Sequence, residues 1–498
     1  MRTAARHLTA ILLLAASGCA STIVLDQSWI EVRSKNFSIY TTLAERDARA
    51  LLEDLELFRA TLLVVTKLRA TKPRVPNEIY AFQSTNDYAP FRPMRYAAGH
   101  FVPTLRSNLM AFATDLGIQG RAVLYHEYTH FLVHNEGPVQ YPLWFDEGFA
   151  ELLGSIDVLG ALVRVGIVPP HRLPWLFYPE KVSYERLIRA HTYADFTGRE
   201  LAMFYTQSWL LVHYLTLGRS GQGDIFSTNL TRYVDRIQQH VDEEQAFREA
   251  FGVDVNDLEE RLAKYVKEIP SYGLPRRDLL KGLEISVRPV PLDEIGARLG
   301  WLAIAERKTS LAERLFERAR EANPGNARAV AGIAEVHKVG RDWEEAEADY
   351  RRAIELAPDD WQNQLDYAEY FADRAFLEED GRDEHLAQAR ERLTRVIAMA
   401  PEIPEPHAIL GMTYTIGNQP PEPGIAPLER AAELLPSHPD TDFPLAKLHA
   451  RAGHRKRAIE LLRRIVYRPH GEPNSEAVKL LEQLEREAGE AKTSPSPN

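Results

Sequence analysis

Apolar residues in the first part of the chain follow two different spacings. Four short apolar runs lie between polar or turn-forming residues, as β-strands do; they are residues 30–33, 37–41, 78–82 and 108–112. Another set recurs at the spacing of one helix face; it consists of Leu51, Leu52, Leu55, Phe58 and Leu62. Helical patterns return at residues 204–217 and 241–266, after a stretch with Gly and Pro at 154–174 that predicts a loop with a small hairpin. These patterns predict a mixed α+β domain over residues 19–268.

From about residue 292 the apolar pattern repeats. Pro324 and Pro358 are 34 residues apart (358 − 324), and apolar residues precede both prolines at the same offsets: Ala312, Phe316 and Ala319, then Ala346, Tyr350 and Ala353. This is the signature of tetratricopeptide (TPR) repeats, in which helix pairs stack into an all-α solenoid. We expect about five such units over residues 292–487, with a closing helix at 475–487. A proline-containing linker at 269–291 and a disordered tail at 488–498 are expected on either side of the array.

The segment 124–152 carries the residues with the clearest chemistry. It contains the motif HEYTH, from His126 to His130, and Glu147 follows in the next helical pattern. Residues four apart lie on one face of an α-helix, so His126 and His130 can bind one Zn²⁺. Glu127 is then placed to reach a metal-bound water rather than the metal, which is the position of a general base.

A third ligand must come from a separate element, and Glu147 is the predicted one. Glu151 lies one helical turn later, where its carboxylate can accept the remaining N–H of a ligand histidine. His134 is excluded as a ligand of the same ion, because it lies about 12 Å from His126 along the helix axis. The glycine and third histidine of the metzincin pattern are missing. The open alternatives are a chance match of the motif and, for Glu151, a solvated helix face.

The HEYTH motif followed by WFDEGFAE resembles the gluzincin clan, specifically the peptidase-MA-like domains related to aminopeptidase N. The DEGFA segment at 146–150 is similar to the NEGFA of those aminopeptidases, whose glutamate is a zinc ligand. The segment that begins at Tyr205 is similar to the family helix whose leading tyrosine stabilises the oxyanion. Over roughly residues 29–266, the resemblance implies a zincin-type metalloprotease domain of α+β fold, with Tyr205 as the electrophile. The alternative for Tyr205 is an ordinary core aromatic.

One feature of the aminopeptidases is missing. They hold the substrate amino terminus with a Gly-x-Met-Glu-Asn motif, whereas the equivalent place here, residues 106–112, reads RSNLMAF. No carboxylate is available there for an α-ammonium group, so we expect endopeptidase action. The same residues are expected to form a sheet edge beside the cleft, to which a peptide could add as a further strand. The alternative is an ordinary paired strand.

The beginning of the sequence predicts export. Residues 1–18 combine Arg2 and Arg6 with a short apolar core, as secretion signals do. The sequence ASGC that ends at Cys19 resembles the bacterial lipobox, which implies a lipoprotein acylated on Cys19. Because Ala20 follows the cysteine, the resemblance implies an outer-membrane anchor with the protein facing the periplasm. A plain cleaved signal is the alternative.

The cysteine count and the net charge exclude some metal ligands and some classes of partner. Cys19 is the only cysteine, which excludes disulfides and thiolate ligands in the folded part. The formal net charge of −11 argues against nucleic acid or an anionic lipid surface as a partner. We therefore expect a zinc-dependent endopeptidase of the cell envelope, held by its lipid anchor, whose TPR array recruits a protein partner or a peptide or protein substrate. A catalytically weak or inactive zinc-binding scaffold and a purely structural zinc remain open.

Overall fold

The computed structural model describes residues 24–66, 75–94, 97–116, 118–135, 141–218, 228–239, 241–436, 438–466 and 474–493. Cys19 and the predicted signal lie outside these ranges. The chain divides into two compact units: the first draws on Met1–Leu52, Pro73–Arg121 and Glu284–Leu434, and the second on Glu53–Lys72, Ala122–Leu283 and Leu435–Asn498. Among the described residues, no helix combines the length and the apolar character that crossing a membrane requires.

The strands belong to two sheets. In chain order they are β1 (Trp29–Arg33), β2 (Ser38–Thr41), β3 (Asn77–Phe82), β4 (Gly99–Pro103), β5 (Asn108–Ala113), β6 (Asp157–Leu159), β7 (Leu162–Val165), β8 (Tyr272–Pro275) and β9 (Ser286–Val290). The first unit contains a six-stranded mixed sheet in the order β4-β5-β3-β2-β1-β9, in which β2, β3 and β5 are parallel neighbours. The second unit contains the antiparallel sheet β6-β7-β8.

The four strands predicted from apolar runs all form, as β1, β2, β3 and β5. However, β5 pairs with β3 on one side and β4 on the other, so the expectation that residues 106–112 form a sheet edge is wrong. The segment 269–291, expected as a linker, contains β8 and β9, and β9 pairs with β1 along its whole length. Pro289 fits in β9 because this strand lies at the edge of the sheet, where a missing N–H costs no ladder bond.

The longer helices occupy much of the remaining chain. In the first part they are α1 (Glu45–Thr66), α2 (Ile118–His134), α3 (Leu143–Gly154), α4 (Arg199–His213), α5 (Thr228–Gln238), α6 (Glu243–Phe251) and α7 (Leu258–Tyr265). Towards the C-terminus they are α8 (Leu292–Ala305), α9 (Thr309–Ala322), α10 (Ala327–Gly340), α11 (Trp343–Leu356), α12 (Trp361–Leu377), α13 (Arg382–Met399), α14 (Pro404–Met412), α15 (Glu422–Leu434), α16 (Pro439–Arg451), α17 (Arg455–Val466) and α18 (Ser475–Thr493). Shorter helices include Thr85–Tyr88, Leu173–Leu176, Tyr184–Arg189 and Arg276–Leu279.

The predicted repeats are present. Helices α8 to α17 pack as consecutive pairs, α8 with α9 through α16 with α17, and α18 follows. The residues that recur at matching offsets, including Phe316 and Tyr350, are fully buried and hold the pairs together. The closing helix is longer than expected, because α18 continues to Thr493 into the predicted tail.

The sheet of the first unit and the first repeat helices share one hydrophobic core. Trp29, Tyr40 and Tyr80 of the sheet belong to the same buried cluster as Ile295 and Leu299 of α8. Residues on the two sides of the expected linker therefore stabilise one another in this unit.

In the second unit, two close contacts position the helices that carry the HEYTH and DEGFA motifs. The ring of Phe58, on α1, stacks on Tyr125 of α2 with centroids 4.1 Å apart. Helix α3 is buried from Leu143 to Leu153 and packs on α4 at Gly148, where an added Cβ would lie 2.3 Å from the backbone oxygen of Ser208. Only glycine permits this approach of the two helices.

Candidate metal centre

Three donor atoms from two helices converge in the second unit. The Nε2 atoms of His126 and His130, one turn apart on α2, are 3.1 Å apart. Oε2 of Glu147, on α3, lies 3.1 Å from Nε2 of His126 and 3.8 Å from Nε2 of His130. A tetrahedral zinc ion with bonds of about 2.0–2.1 Å separates its ligand atoms by about 3.3 Å. The three residues selected as ligands are thus together, and this set of nitrogen and oxygen donors suits one zinc ion.

Each of these histidines has a carboxylate at its other ring nitrogen. Nδ1 of His130 lies 3.2 Å from Oδ1 of Asp146, and Nδ1 of His126 lies 3.6 Å from Oε1 of Glu151. A carboxylate in this position fixes the tautomer and the orientation of a metal-binding imidazole. The sequence predicts this role for Glu151 but not for Asp146.

Asp146 has a second imidazole neighbour. Nε2 of His134 lies 2.9 Å from Oδ1 of Asp146, so that one buried carboxylate lies between His130 and His134. Because His134 points to Asp146, it is not part of the group formed by His126, His130 and Glu147.

Arg172 connects Glu151 to Tyr205. Its Nε and Nη2 atoms each donate a hydrogen bond of 2.9 Å to the carboxylate of Glu151. The same guanidinium lies over the ring of Tyr205, 4.9 Å from the ring centroid, in a cation–π contact. The orientation of the Tyr205 ring is therefore coupled to the carboxylate beside His126.

Two tyrosines lie next to the donor group. Tyr205, on α4, has its ring centroid 6.5 Å from that of His126. Tyr193 stacks on Tyr205 with centroids 6.4 Å apart and donates its hydroxyl to Oε1 of Glu147. The sequence pointed to Tyr205, but it is the hydroxyl of Tyr193 that is hydrogen-bonded to Glu147.

A cavity of about 280 Å³ opens beside these side chains. Glu127, His126 and Tyr205 line it together with Glu151 and Arg172. The residues selected as general base, metal ligand and electrophile therefore border a single space. Chemically, such a space can hold a reacting group between a carboxylate base and a phenol donor.

Burial and neighbouring charges set the protonation states around the cavity. Burial opposes ionisation of Glu147, but hydrogen bonds with the two histidines outweigh it and lower the pKa of Glu147. Burial also opposes ionisation of Glu151, whose pKa nevertheless falls to about 2 because Arg172 binds its carboxylate. Burial, together with these two carboxylates, raises the pKa of Tyr205. Near neutral pH both carboxylates are anionic and the phenol keeps its proton.

Sequence reasoning missed Asp146, Arg172 and Tyr193. Because Asp146 directly precedes Glu147, the sequence shows that it lies beside a predicted ligand, but not that it faces His130. Arg172 and Tyr193 lie outside the periodic helices, and their directions depend on the tertiary fold. A Thr-x-x-Asp pattern at Thr192 does signal a capped turn at Tyr193, although it says nothing about what the ring contacts.

Comparison with known proteins identifies the repeats. Residues 298–361 match the family model of the tetratricopeptide repeat, and no curated protein matches the chain. Together with the helix pairs, this match places TPR repeats in the C-terminal region; the N-terminal region is a mixed sheet with helices.

The chain is also similar to solved structures, among them the following three. TTC0263, a thermophilic TPR protein in Thermus thermophilus, is 19% identical with a TM-score of 0.33, over 39% of this chain and 99% of that chain. Pseudomonas aeruginosa PilF is 18% identical with a TM-score of 0.34, over 40% of this chain and 86% of that chain. YrrB, a TPR protein with an unusual peptide-binding site, is 16% identical with a TM-score of 0.28, over 38% of this chain and 90% of that chain.

Proposed function

We propose that this chain is a zinc-dependent endopeptidase of the bacterial cell envelope, with a TPR array that recruits protein partners or substrates. The observation that carries the proposal is the convergence of Nε2 of His126, Nε2 of His130 and Oε2 of Glu147, at 3.1–3.8 Å from one another. Glu127 lines the cavity beside this group. Three protein ligands leave a coordination position open, as catalytic zinc sites require and structural sites do not.

His126, His130 and Glu147 would hold the metal. When bound, zinc supplies a Lewis acid and lowers the pKa of a water molecule towards about 7. Asp146 lies 3.2 Å from Nδ1 of His130 and Glu151 lies 3.6 Å from Nδ1 of His126, so these two carboxylates favour ring orientations that turn the imidazoles towards the shared centre.

Two residues of the cavity transfer the proton and stabilise the developing negative charge. Glu127 accepts a proton from the attacking water and passes it to the leaving amine of the scissile peptide. Tyr205, protonated because its pKa is raised by burial and by the nearby carboxylates, donates a hydrogen bond to the carbonyl oxygen as negative charge develops there. This chain therefore supplies the general base, the oxyanion donor and the metal ligands that amide hydrolysis needs, and one metal ion completes the set.

The test combines metal analysis with peptide cleavage. Purified full chain should contain zinc in a one-to-one ratio and should cleave casein or unstructured peptides in a chelator-sensitive way. Glu127→Gln should keep the zinc and lose about 10²–10⁴ in cleavage rate, the usual contribution of a general base. Glu268→Gln changes an exposed glutamate of the same unit and should leave both properties unchanged. Equal cleavage by Glu127→Gln and the parent would contradict the assignment.

A binding scaffold is the second candidate, and the TPR repeats favour it because such arrays commonly bind peptides or proteins. In that case there is no cleavage for a chelator to abolish, and chelation changes stability only if a structural zinc ion is bound. Stoichiometric zinc without turnover on any peptide would select the scaffold.

The envelope location rests on the lipobox-like sequence that ends at Cys19. Metabolic labelling with a fatty acid should mark the parent chain and not Cys19→Ser, which should also leave the membrane fraction. Retention of Cys19→Ser in the outer membrane would contradict a lipid anchor.

A further inference from the structure

The two oxygens of Glu147 have different partners. Oε2 lies 3.1 Å from Nε2 of His126 and 3.8 Å from Nε2 of His130. Oε1 accepts the hydroxyl of Tyr193. One oxygen is therefore directed to the shared centre, while the other is engaged by a tyrosine.

Local hydrogen bonds shape the turn that carries Tyr193. It lies on the 3-10 turn Tyr193–Asp195, which is closed by a capping box between Thr192 and Asp195. Arg186 donates to the backbone oxygen of Asp195 and pairs with Glu200 at 2.6 Å. These contacts define the turn from which the hydroxyl of Tyr193 reaches Glu147.

We propose that Tyr193 is a positioning residue that restricts Glu147 to binding zinc through one oxygen. This inference rests on the proposed function. A carboxylate can bind a metal through one or both oxygens, and two-oxygen binding by Glu147 would occupy the position that a catalytic zinc keeps open. By engaging Oε1, Tyr193 keeps that position available for water and substrate.

The neighbouring Tyr205 provides a matched control. The two rings stack on each other, so Tyr193→Phe and Tyr205→Phe each remove one hydroxyl from the same aromatic pair. The hydroxyl of Tyr193 is the one that donates to Oε1 of Glu147. Tyr205 lines the cavity and is assigned to the substrate carbonyl instead.

The experiment measures metal binding without relying on activity. Zinc affinity of the full-length parent and both variants is determined by competition with a chromophoric chelator. We expect Tyr193→Phe to bind zinc about 10–100-fold more weakly, the usual effect of losing a residue that orients a ligand. Tyr205→Phe should bind zinc as the parent does, although its kcat falls.

Cobalt(II) substitution reports the coordination directly, because four-coordinate cobalt absorbs visible light more strongly than cobalt with more ligands. The parent and Tyr205→Phe should show the intense spectrum, and Tyr193→Phe the weaker one. Unchanged zinc affinity and an unchanged cobalt spectrum in Tyr193→Phe overturn the inference. Equal losses in both variants also overturn it, since they indicate disturbed ring packing. If the parent itself binds no zinc, the proposed function fails instead.

Discussion

Arg106 should be one of the most important single side chains for the stability of the first unit. It lies in the turn between β4 and β5, which Thr104 closes through a 2.7 Å hydrogen bond to the backbone oxygen of Ser107. From this turn the guanidinium reaches the repeat helices, where it pairs with Asp366 of α12 at 2.6 Å and with Glu405 of α14. The turn of the sheet is thus bound by carboxylates of two successive repeats.

The cost of removing Arg106 follows from the burial of its partners. Its side chain is 15% exposed, and that of Asp366 is 1% exposed. Breaking a buried ion pair by removing one partner costs about 3–5 kcal/mol, because the remaining charge is left uncompensated. Asp366 keeps a second cation, Arg328, at 2.6 Å. We therefore expect the lower end, about 3 kcal/mol, for Arg106→Ala.

Urea unfolding followed by far-ultraviolet circular dichroism measures this loss. With an m value of about 3 kcal/mol/M, a loss of about 3 kcal/mol lowers the midpoint of the transition that reports the first unit by about 1 M. The matched control is Arg352→Ala, because Arg352 is exposed on α11 and pairs with Glu355, also exposed, at 3.0 Å. That change should alter stability by less than about 0.5 kcal/mol. If the two variants unfold at the same urea concentration, the contact between the turn and the repeats does not stabilise the unit.

Three further changes test other parts of the structure. Gly148→Ala forces a methyl group against the backbone oxygen of Ser208, and we expect a loss of about 1–3 kcal/mol from overpacking, visible as a lower melting temperature; an unchanged melting temperature would contradict this helix contact. Asp146→Asn removes the charge beside Nδ1 of His130 and should weaken zinc binding by about 10-fold or more in chelator competition, whereas parent-like affinity would show that Asp146 does not orient that ring. Burial and neighbouring carboxylates raise the pKa of Glu369 to about 8 from 4.5. Because the folded value is the higher one, its stabilising effect is complete below about pH 4.5 and is lost as the pH rises towards about 8. In Glu369→Gln the urea midpoint should fall less than in the parent as the pH rises across that range. If the urea midpoints of parent and variant fall equally with pH, the raised pKa of Glu369 is refuted.

The repeats were predictable because their evidence is local and periodic. Ala312, Phe316 and Ala319 recur 34 residues later with equivalent side chains, and each set fills the same place between paired helices. Strand β9 was not predictable in this way. Its sequence, SVRPV, has no clear alternation and contains Pro289, and it becomes a strand only because β1 offers a free edge.

In the candidate site, too, some residues are predictable from local spacing and others are placed only by the tertiary fold. The two histidines and Glu127 follow from helical spacing, which is a local property. Glu147 requires a second helix to lie opposite the first. Its place in the next helical pattern and its resemblance to a known motif both indicate it, but the packing of the two helices is a tertiary property. Tyr193 and Arg172 depend on how separate loops meet the helices, and no spacing in the sequence encodes that meeting.

Burying three carboxylates on α3 costs free energy, which argues that they serve a function and not stability. Asp146, Glu147 and Glu151 are all buried on this one helix, each at most 8% exposed. Burying an ionised carboxylate costs several kcal/mol even in real proteins, and well-packed apolar residues of similar size often stabilise as well or better. Here the carboxylates are compensated by groups that converge on one centre, namely imidazoles, Arg172 and the Tyr193 hydroxyl. A bound dication would further compensate the buried negative charge of Glu147. Zinc should therefore raise the melting temperature of the parent and should raise that of Glu147→Gln far less.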